Sequence, residues 1–318
     1  MSSSEWIAGW RCVIAGGAGA VGGMFADWLL RSGADVRVID ILRPPKRLPG
    51  EPERFVRGDI TRIGSALAGE LSDADVALLA VPEQVALAAF AGVVERLRPG
   101  TLLVDTLSVK GRIAERSRAG AVGLEVVSLN PMFAPQLGFA GRAVAAVVVA
   151  DGPRVRALLD LIGVWGGRVV ELTADEHDRL AGATQALTHA AVLAFGLALG
   201  ELHVDLAQVR EIAPPPHATL LALLARIVSA APETYWDVLS ANPWAEPART
   251  ALAGGVRHLA ECVQAGDEAR FAALLERLRN LLGPDLDHHS SACARAFERM
   301  TPVVDHGGDH DRGRPARP

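Results

Sequence analysis

Cysteine is scarce in this chain and unpaired: Cys12, Cys262 and Cys293 stand far apart among 318 residues. That spacing excludes a disulfide framework and a zinc knuckle, and it fits a reducing, cytoplasmic compartment. Histidine does not make up the difference. His177 and seven others outside "ALTHAA" show no ligand spacing, so no metal is expected. Charge of one sign is also missing: 32 Lys and Arg against 37 Asp and Glu leave a net charge of −5, with the basic residues dispersed. No nucleic-acid or membrane partner is therefore expected. No apolar run looks long enough to span a bilayer; the nearest, "ATLLALLARIVSAA", is broken by Arg226. The opening "MSSSEWIAGWRC" has an acid and no basic patch ahead of an apolar run, which argues against a signal peptide. No internal repeat is visible.

Hydrophobic residues, by contrast, make up half the chain, enough at this length for one large core or two. "RCVIAGG", "ADVRVID", "DVALLAV", "GTLLVDT", "LEVVSL", "RAVAAVVVA" and "GRVVEL" predict strands. Helical patterns such as 24–32, 84–97 and 153–165 lie between most of them. The strands are continuous apolar runs, which means burial on both faces and a mostly parallel sheet between helix layers. Beyond Leu172 no strand is evident. "TADE" at Thr173 to Glu176 predicts a capping box. The helix it opens should run to about Leu202, apolar nearly all round from Ala181 to Leu199 and so buried in a bundle or against a second subunit. The expected architecture is an α/β domain over 1–172 and an all-α domain over 173–300. A disordered, polar, Gly- and Pro-rich tail is expected over 301–318.

The first strand leads into Gly17-x-Gly19-x-x-Gly22 at the start of a helix, with a second strand ending at Asp40, eighteen residues on. This spacing predicts a Rossmann-type dinucleotide site. Gly17 would permit the tight turn, Gly19 the approach of the pyrophosphate, and Gly22 close helix–strand packing. The helix N-terminus at Ala20 and Val21 would receive the negative charge. Asp40 would bind the adenosine ribose hydroxyls and repel a 2′-phosphate, which favours NAD. Arg43 and the adjacent Pro44-Pro45-Lys46-Arg47 keep NADP open.

Two loops beyond the sheet's carboxyl edge hold polar residues where ligands bind in such sheets: "DTLSVKG", with Ser108 and Lys110, and "SLNPMFAP", with Asn130. A serine there also serves as a helix N-cap, and an asparagine as a turn former. The order of "AVPEQV", "DTLSVKG", "NPMFAP" and "ATQALTHAAVLAFGLAL" behind the glycine fingerprint resembles the prephenate/arogenate dehydrogenase family across residues 11 to 290. Its members oxidise a cyclohexadienyl acid at C4 with NAD or NADP and release the ring carboxylate as carbon dioxide.

The resemblance implies that Val81 and Pro82 border the cofactor and that Ser108 lies beside the nicotinamide and the C4 substituent. It implies that His189, with Gln185 one turn earlier, faces the substrate. Arg226 would grip a substrate carboxylate, for which a guanidinium is suited. Otherwise His189 is a satisfied histidine in a helical interface and Arg226 a solvated helix residue. Tyr235 and Trp236 wall the pocket or pack in the core. A homodimer through the helical substrate and dimerisation domain is also implied. There is no room for a chorismate mutase domain ahead of the fingerprint, and no βαβ pattern suggests a tyrosine-sensing module behind.

One position departs from the family. Where Asn130 stands, members normally carry a catalytic histidine that takes the proton of a C4 hydroxyl. An amide cannot. A C4 amine needs no such base, because its lone pair expels the hydride, and Asn130 can accept a hydrogen bond from it without charge. This points to the 4-amino-4-deoxyprephenate dehydrogenase branch, which makes the 4-aminophenylpyruvate precursor of p-aminophenylalanine in antibiotic pathways. The alternatives are a prephenate or arogenate dehydrogenase with another base, or an NAD-binding sensor without catalysis. A dianion pocket of Ser108, His189 and Arg226 speaks against the sensor.

Overall fold

The computed structural model describes residues 7–43 and 54–299. The tail over 301–318 and the basic stretch at 44–47 lie outside the described residues. Eight strands form one sheet in the order β3-β2-β1-β4-β5-β6-β7-β8. They are β1 Arg11–Ala15, β2 Asp35–Asp40, β3 Phe55–Arg57, β4 Val76–Leu79, β5 Leu102–Asp105, β6 Glu125–Pro131, β7 Ala143–Ala150 and β8 Arg168–Glu171. From β1 to β6 all pairs are parallel in the doubly wound order of dinucleotide-binding sheets. β7 then turns antiparallel to β6, and β8 runs parallel to β7. Seven strands were legible in the pattern; β3, only "FVR", is too short to show one.

The helices are α1 Ala20–Arg31, α2 Ser65–Ser72, α3 Glu83–Val94, α4 Gly111–Gly120, α5 Pro153–Val164, α6 Ala174–Ala181 and α7 Leu187–Glu201. After these come α8 Leu206–Ile212, α9 Pro215–Val228, α10 Pro232–Ser240, α11 Ala245–Gln264, α12 Glu268–Leu282 and α13 Leu286–Glu298. Side chains alternate across the sheet, so each strand feeds two cores. Ile14, Val38, Leu78, Val104 and Leu129 pack on one face with α1 and α5. Val13, Ile39, Leu79, Leu103 and Val126 pack on the other with α2, α3 and α4. The first core is anchored by Phe139, fully buried among the rings of Phe25, Trp28, Phe133 and Trp165 at centroid distances of 4.9–5.6 Å.

α6 opens with the capping box: Glu176 N–H donates to Thr173 Oγ1 at 3.2 Å, and Thr173 N–H to Glu176 Oε2 at 2.8 Å. The described residues of Met1–Leu193 with Ile227–Leu252 form one compact unit. Those of Ala194–Arg226 with Ala253–Pro318 form a second. The compact units therefore do not divide at residue 172. α6, the first part of α7, and α10 belong with the sheet; Asp178 of α6 accepts the Lys110 and Gly111 amides, and Asp237 of α10 accepts the Glu83 amide. Within the second unit Phe195 meets the His217 ring at 5.5 Å, and Asp267 caps α12 through the Arg270 amide.

The continuous helix Ala174–Glu201 is, by length and composition, apolar enough to cross a bilayer. The expectation that no apolar stretch is long enough is corrected: Thr184, Gln185, Thr188 and His189 interrupt the run without making the helix polar. Only Val192 of α7 is fully buried, and Leu197 is 75% exposed. The apolar face expected to be covered is thus open in the single chain. Phe139→Ala should lower the unfolding free energy by about 3–5 kcal/mol, the usual cost of removing a buried ring, measured by denaturant titration.

Candidate active site

At the end of β1 the chain turns at Gly16, with φ at +83°, where a Cβ would stand 2.1 Å from the Ala80 carbonyl oxygen. The turn is therefore carried by Gly16, not by Gly17 as the fingerprint suggests. Gly17 is kept small by Val38, whose Cγ1 would lie 2.5 Å from an added Cβ. At Gly22 a Cβ would meet the Gly16 carbonyl at 2.4 Å, so α1 begins pressed against the turn. Gly19 caps α1 without a side chain, and the first amides, from Ala20 and Val21 onward, have no partner within the helix. Val81 leans over the turn from β4, and Pro82 caps α3. A concave turn of this kind at the positive end of a helix suits a pyrophosphate.

Asp40 closes β2. Its Oδ2 accepts from Ala18 N–H at 2.9 Å and its Oδ1 from Leu42 N–H at 3.0 Å, which ties it to the turn while each oxygen keeps acceptor capacity. Ile41, Leu42, Arg43, Phe55 and Arg57 line a hollow alongside, with the Arg43 guanidinium 5.8 Å from the Phe55 ring centroid.

β5 stops at Asp105, paired with Ser128, whereas β6 continues through Leu129, Asn130 and Pro131 because β7 pairs beside it. Asn130 therefore stands in a strand, opposite Ala145 and 4% exposed, and not in the loop expected from the sequence. Ser108 sits in the bend between β5 and α4, partly exposed. Lys110, two residues on, is wholly buried. Its Nζ donates to Leu107 O at 2.5 Å and Leu129 O at 2.8 Å, and lies 3.5 Å from Asp105 Oδ1. Ser128 Oγ also donates to that carboxylate, at 2.6 Å. The ammonium thus staples the Ser108 loop to β6 at the residue before Asn130. Burial pushes the Lys110 pKa down, against the pull of Asp105.

The residue that sequence reasoning passed over is His177. It is 2% exposed, with Nε2 3.1 Å from Asn130 Nδ2 and Nδ1 2.8 Å from Asp178 Oδ1. Asp178 in turn accepts the amides of Lys110 and Gly111, both at 2.8 Å, at the start of α4. Burial lowers the His177 pKa and the Lys110 charge adds to this; the bond to Asp178 opposes it. The signal in the sequence was a histidine–aspartate pair in the first turns after the capping box, close behind the last strand. Its partner lies 47 residues away, and spacing could not reveal that.

Between α6 and α7 the helix widens into a π-turn, Gly182–Ala186, where Gly182 lets Trp244 approach: a Cβ would be 2.6 Å from Trp244 Cβ. Gln185, in this turn, places Nε2 3.9 Å from Met132 Sδ, and its buried Oε1 has no hydrogen-bond partner among the described residues. The His189 ring meets Tyr235 edge-on at 4.8 Å. Trp236 points outward, 64% exposed, so the two aromatic neighbours differ in role. Arg226 is exposed in the last turn of α9, within the second unit. Glu83 N–H donates to Asp237 Oδ2 at 3.2 Å, joining α3 to α10, and burial raises the Glu83 pKa. No metal-ligating group of three or more exists among the described residues.

Sequence profiles described as the nucleotide-binding and dimerization domains of prephenate dehydrogenase match residues 56–147 and 173–277. A 4-amino-4-deoxyprephenate dehydrogenase of Streptomyces pristinaespiralis is 53% identical over 290 residues, spanning 91% of this chain and 97% of that protein. The T-protein of Enterobacter agglomerans is 29% identical, over 85% of this chain and 67% of its own. Prephenate dehydrogenase of A. aeolicus, solved with hydroxyphenyl propionate and NAD+, shares the fold with a TM-score of 0.63 at 18% identity. It covers 85% of this chain and 96% of its own.

With its pKa lowered in the folded state, His177 takes up its proton later than in the unfolded chain. The stability held by the neutral ring is complete above the ordinary value of 6.5 and is lost as pH falls from there through the folded value. Denaturant melts across that range should show an acid-side decline that is shallower in His177→Gln; parallel declines would remove His177 from the account.

Proposed function

The chain belongs to the prephenate dehydrogenase family, and we propose that its reaction is the NAD-dependent oxidative decarboxylation of 4-amino-4-deoxyprephenate to 4-aminophenylpyruvate. The observation that carries this is a buried carboxamide, Asn130, at the position where the family normally holds an imidazole. The 53% identity to a 4-amino-4-deoxyprephenate dehydrogenase supports it independently.

When bound, NAD supplies the acceptor for the C4 hydride. As the hydride departs, the amine nitrogen carries the positive charge, and loss of the ring carboxylate as carbon dioxide returns the electrons to the ring. Both N–H bonds survive, so the step needs no base. An oxygen at C4 bears that charge far less well and gains from an imidazole that accepts its proton. Asn130 offers a neutral acceptor and adds no charge beside the nitrogen. His177 is no substitute base, because both of its nitrogens are engaged and the ring is 2% exposed. That disfavours the reading as a prephenate or arogenate dehydrogenase.

In this reading Ser108 borders the nicotinamide and C4, while Gln185 and His189, backed by Tyr235, face the substrate. The grip on a substrate carboxylate is given to Arg226 by the family resemblance alone. The turn at Gly17, Gly19 and Gly22, with Ala20, Val21, Val81 and Pro82, receives the pyrophosphate and ribose, and Asp40 the adenosine hydroxyls. Trp236 is given no substrate contact. The open apolar face of α7 and the match to a dimerization domain support a homodimer through the helices. The Streptomyces relative suggests a place in antibiotic precursor synthesis.

Purified protein offered both acids with each nicotinamide cofactor should strongly prefer the amine and NAD, and Asn130→His should gain turnover of prephenate. Equal use of both acids by the native protein would sink the base-free account. Asp40→Asn should raise KM for NAD by about 10–100-fold, the cost of a lost hydrogen bond to a charged group, and narrow the margin over NADP.

A further inference from the structure

An asparagine can meet the C4 substituent with either end of its carboxamide, and only one end accepts a hydrogen bond from an amine. We propose that His177 and Asp178 fix that choice, turning the Asn130 NH2 inward so that Oδ1 faces the substrate nitrogen. The inference rests on the reading that Asn130 meets the C4 substituent.

The chain of constraint begins at Asp178. A carboxylate only accepts, and this one already receives the Lys110 and Gly111 amides at 2.8 Å. The third group in contact, His177 Nδ1 at 2.8 Å, must therefore carry a hydrogen. In a neutral imidazole the lone pair then lies on Nε2, and the polar group facing it is the Asn130 carboxamide at 3.1 Å. Only the NH2 end can donate to that lone pair. Because the carboxamide is planar, its oxygen lies on the other side of Cγ. Placing Oδ1 against Nε2 instead would set two lone pairs together in a buried position, which costs more than an exposed mismatch.

The ring must be neutral for this to hold. The groups bearing on it are Asp178 in contact, with the Lys110 ammonium and the Asp105 carboxylate at longer range. Burial outweighs the favourable pull of Asp178 and holds the pKa below the ordinary value. If His177 gains a second proton, it donates from both nitrogens. It would then draw Oδ1 inward and present NH2 to the substrate. His177 is thus a positioning residue: it acts through Asn130 and touches no reacting atom.

The test compares the ratio of kcat/KM for the amine to that for prephenate in native protein, His177→Gln and His177→Leu. Glutamine can still accept from the Asn130 NH2 and does not titrate; leucine offers no acceptor. The leucine variant should lose the ratio by about tenfold or more, the effect of one misdirected hydrogen bond. The glutamine variant should keep most of it and lack the acid-side fall in amine preference expected of the native protein. In an Asn130→Ala background, His177→Leu should leave the ratio where Asn130→Ala alone put it. A native-like ratio in the leucine variant, or equal losses in both variants, overturns the proposal. A native protein with no preference for the amine overturns the functional reading, and this inference with it. Should the leucine variant not fold, native protein labelled with 15N-histidine decides. The ring whose signals vanish in His177→Gln should carry its hydrogen on Nδ1, and an Nε2–H ring overturns the proposal.

Discussion

The site hangs on one carboxylate. Asp178 accepts three N–H groups, two from the backbone at the start of α4 and one from the neighbouring imidazole. A negative charge at a helix N-terminus is stabilised by the aligned peptide dipoles, so the bond pattern and the field agree. Through the Lys110 amide it fixes the bend that carries Ser108, and through His177 it reaches Asn130. Its own backbone carbonyl accepts the Asn242 amide at 2.9 Å, which draws the segment after α10 to the same point. Helical and sheet portions of the first unit thus meet at one anion.

Lys110 performs the complementary task with a positive charge. A fully buried ammonium is costly unless its hydrogens are all received, and here two carbonyls and a carboxylate take them. One of those carbonyls belongs to Leu129, so β6 cannot shift along its axis without breaking the staple. The loop of Ser108 and the strand that carries Asn130, which the sequence shows as two separate motifs, are joined in the fold through Lys110 and Leu129.

Much of this was legible beforehand, because it is local. Continuous apolar runs marked the buried strands, the glycine spacing marked the turn and helix, and Thr173 to Glu176 marked the start of α6. What could not be read depends on meetings across the chain. β6 reaches Asn130 only because β7 lies alongside it. Gly16 rather than Gly17 carries the turn because Ala80 crowds it from β4. His177 had no visible partner because Asn130 is brought to it by a strand and a helix folding together. The exposure of Trp236 and of α7 follows from packing that composition cannot express.

The wide turn at Gly182–Ala186 bears on how such a chain can diverge. It takes one more residue than an α-turn would, and each α-helical residue advances the face by about 100°. The wide turn takes up that extra residue, so His189 keeps its face on the helix despite the added length between it and Asp178. Removing one residue from the wide turn would return it to α geometry and leave α7 on the same face, whereas removing one elsewhere in the coil would swing α7 through more than a quarter circle. Descendants of this chain have one residue to spare in the length of that segment, while Gly182 against Trp244 limits how it is respelled.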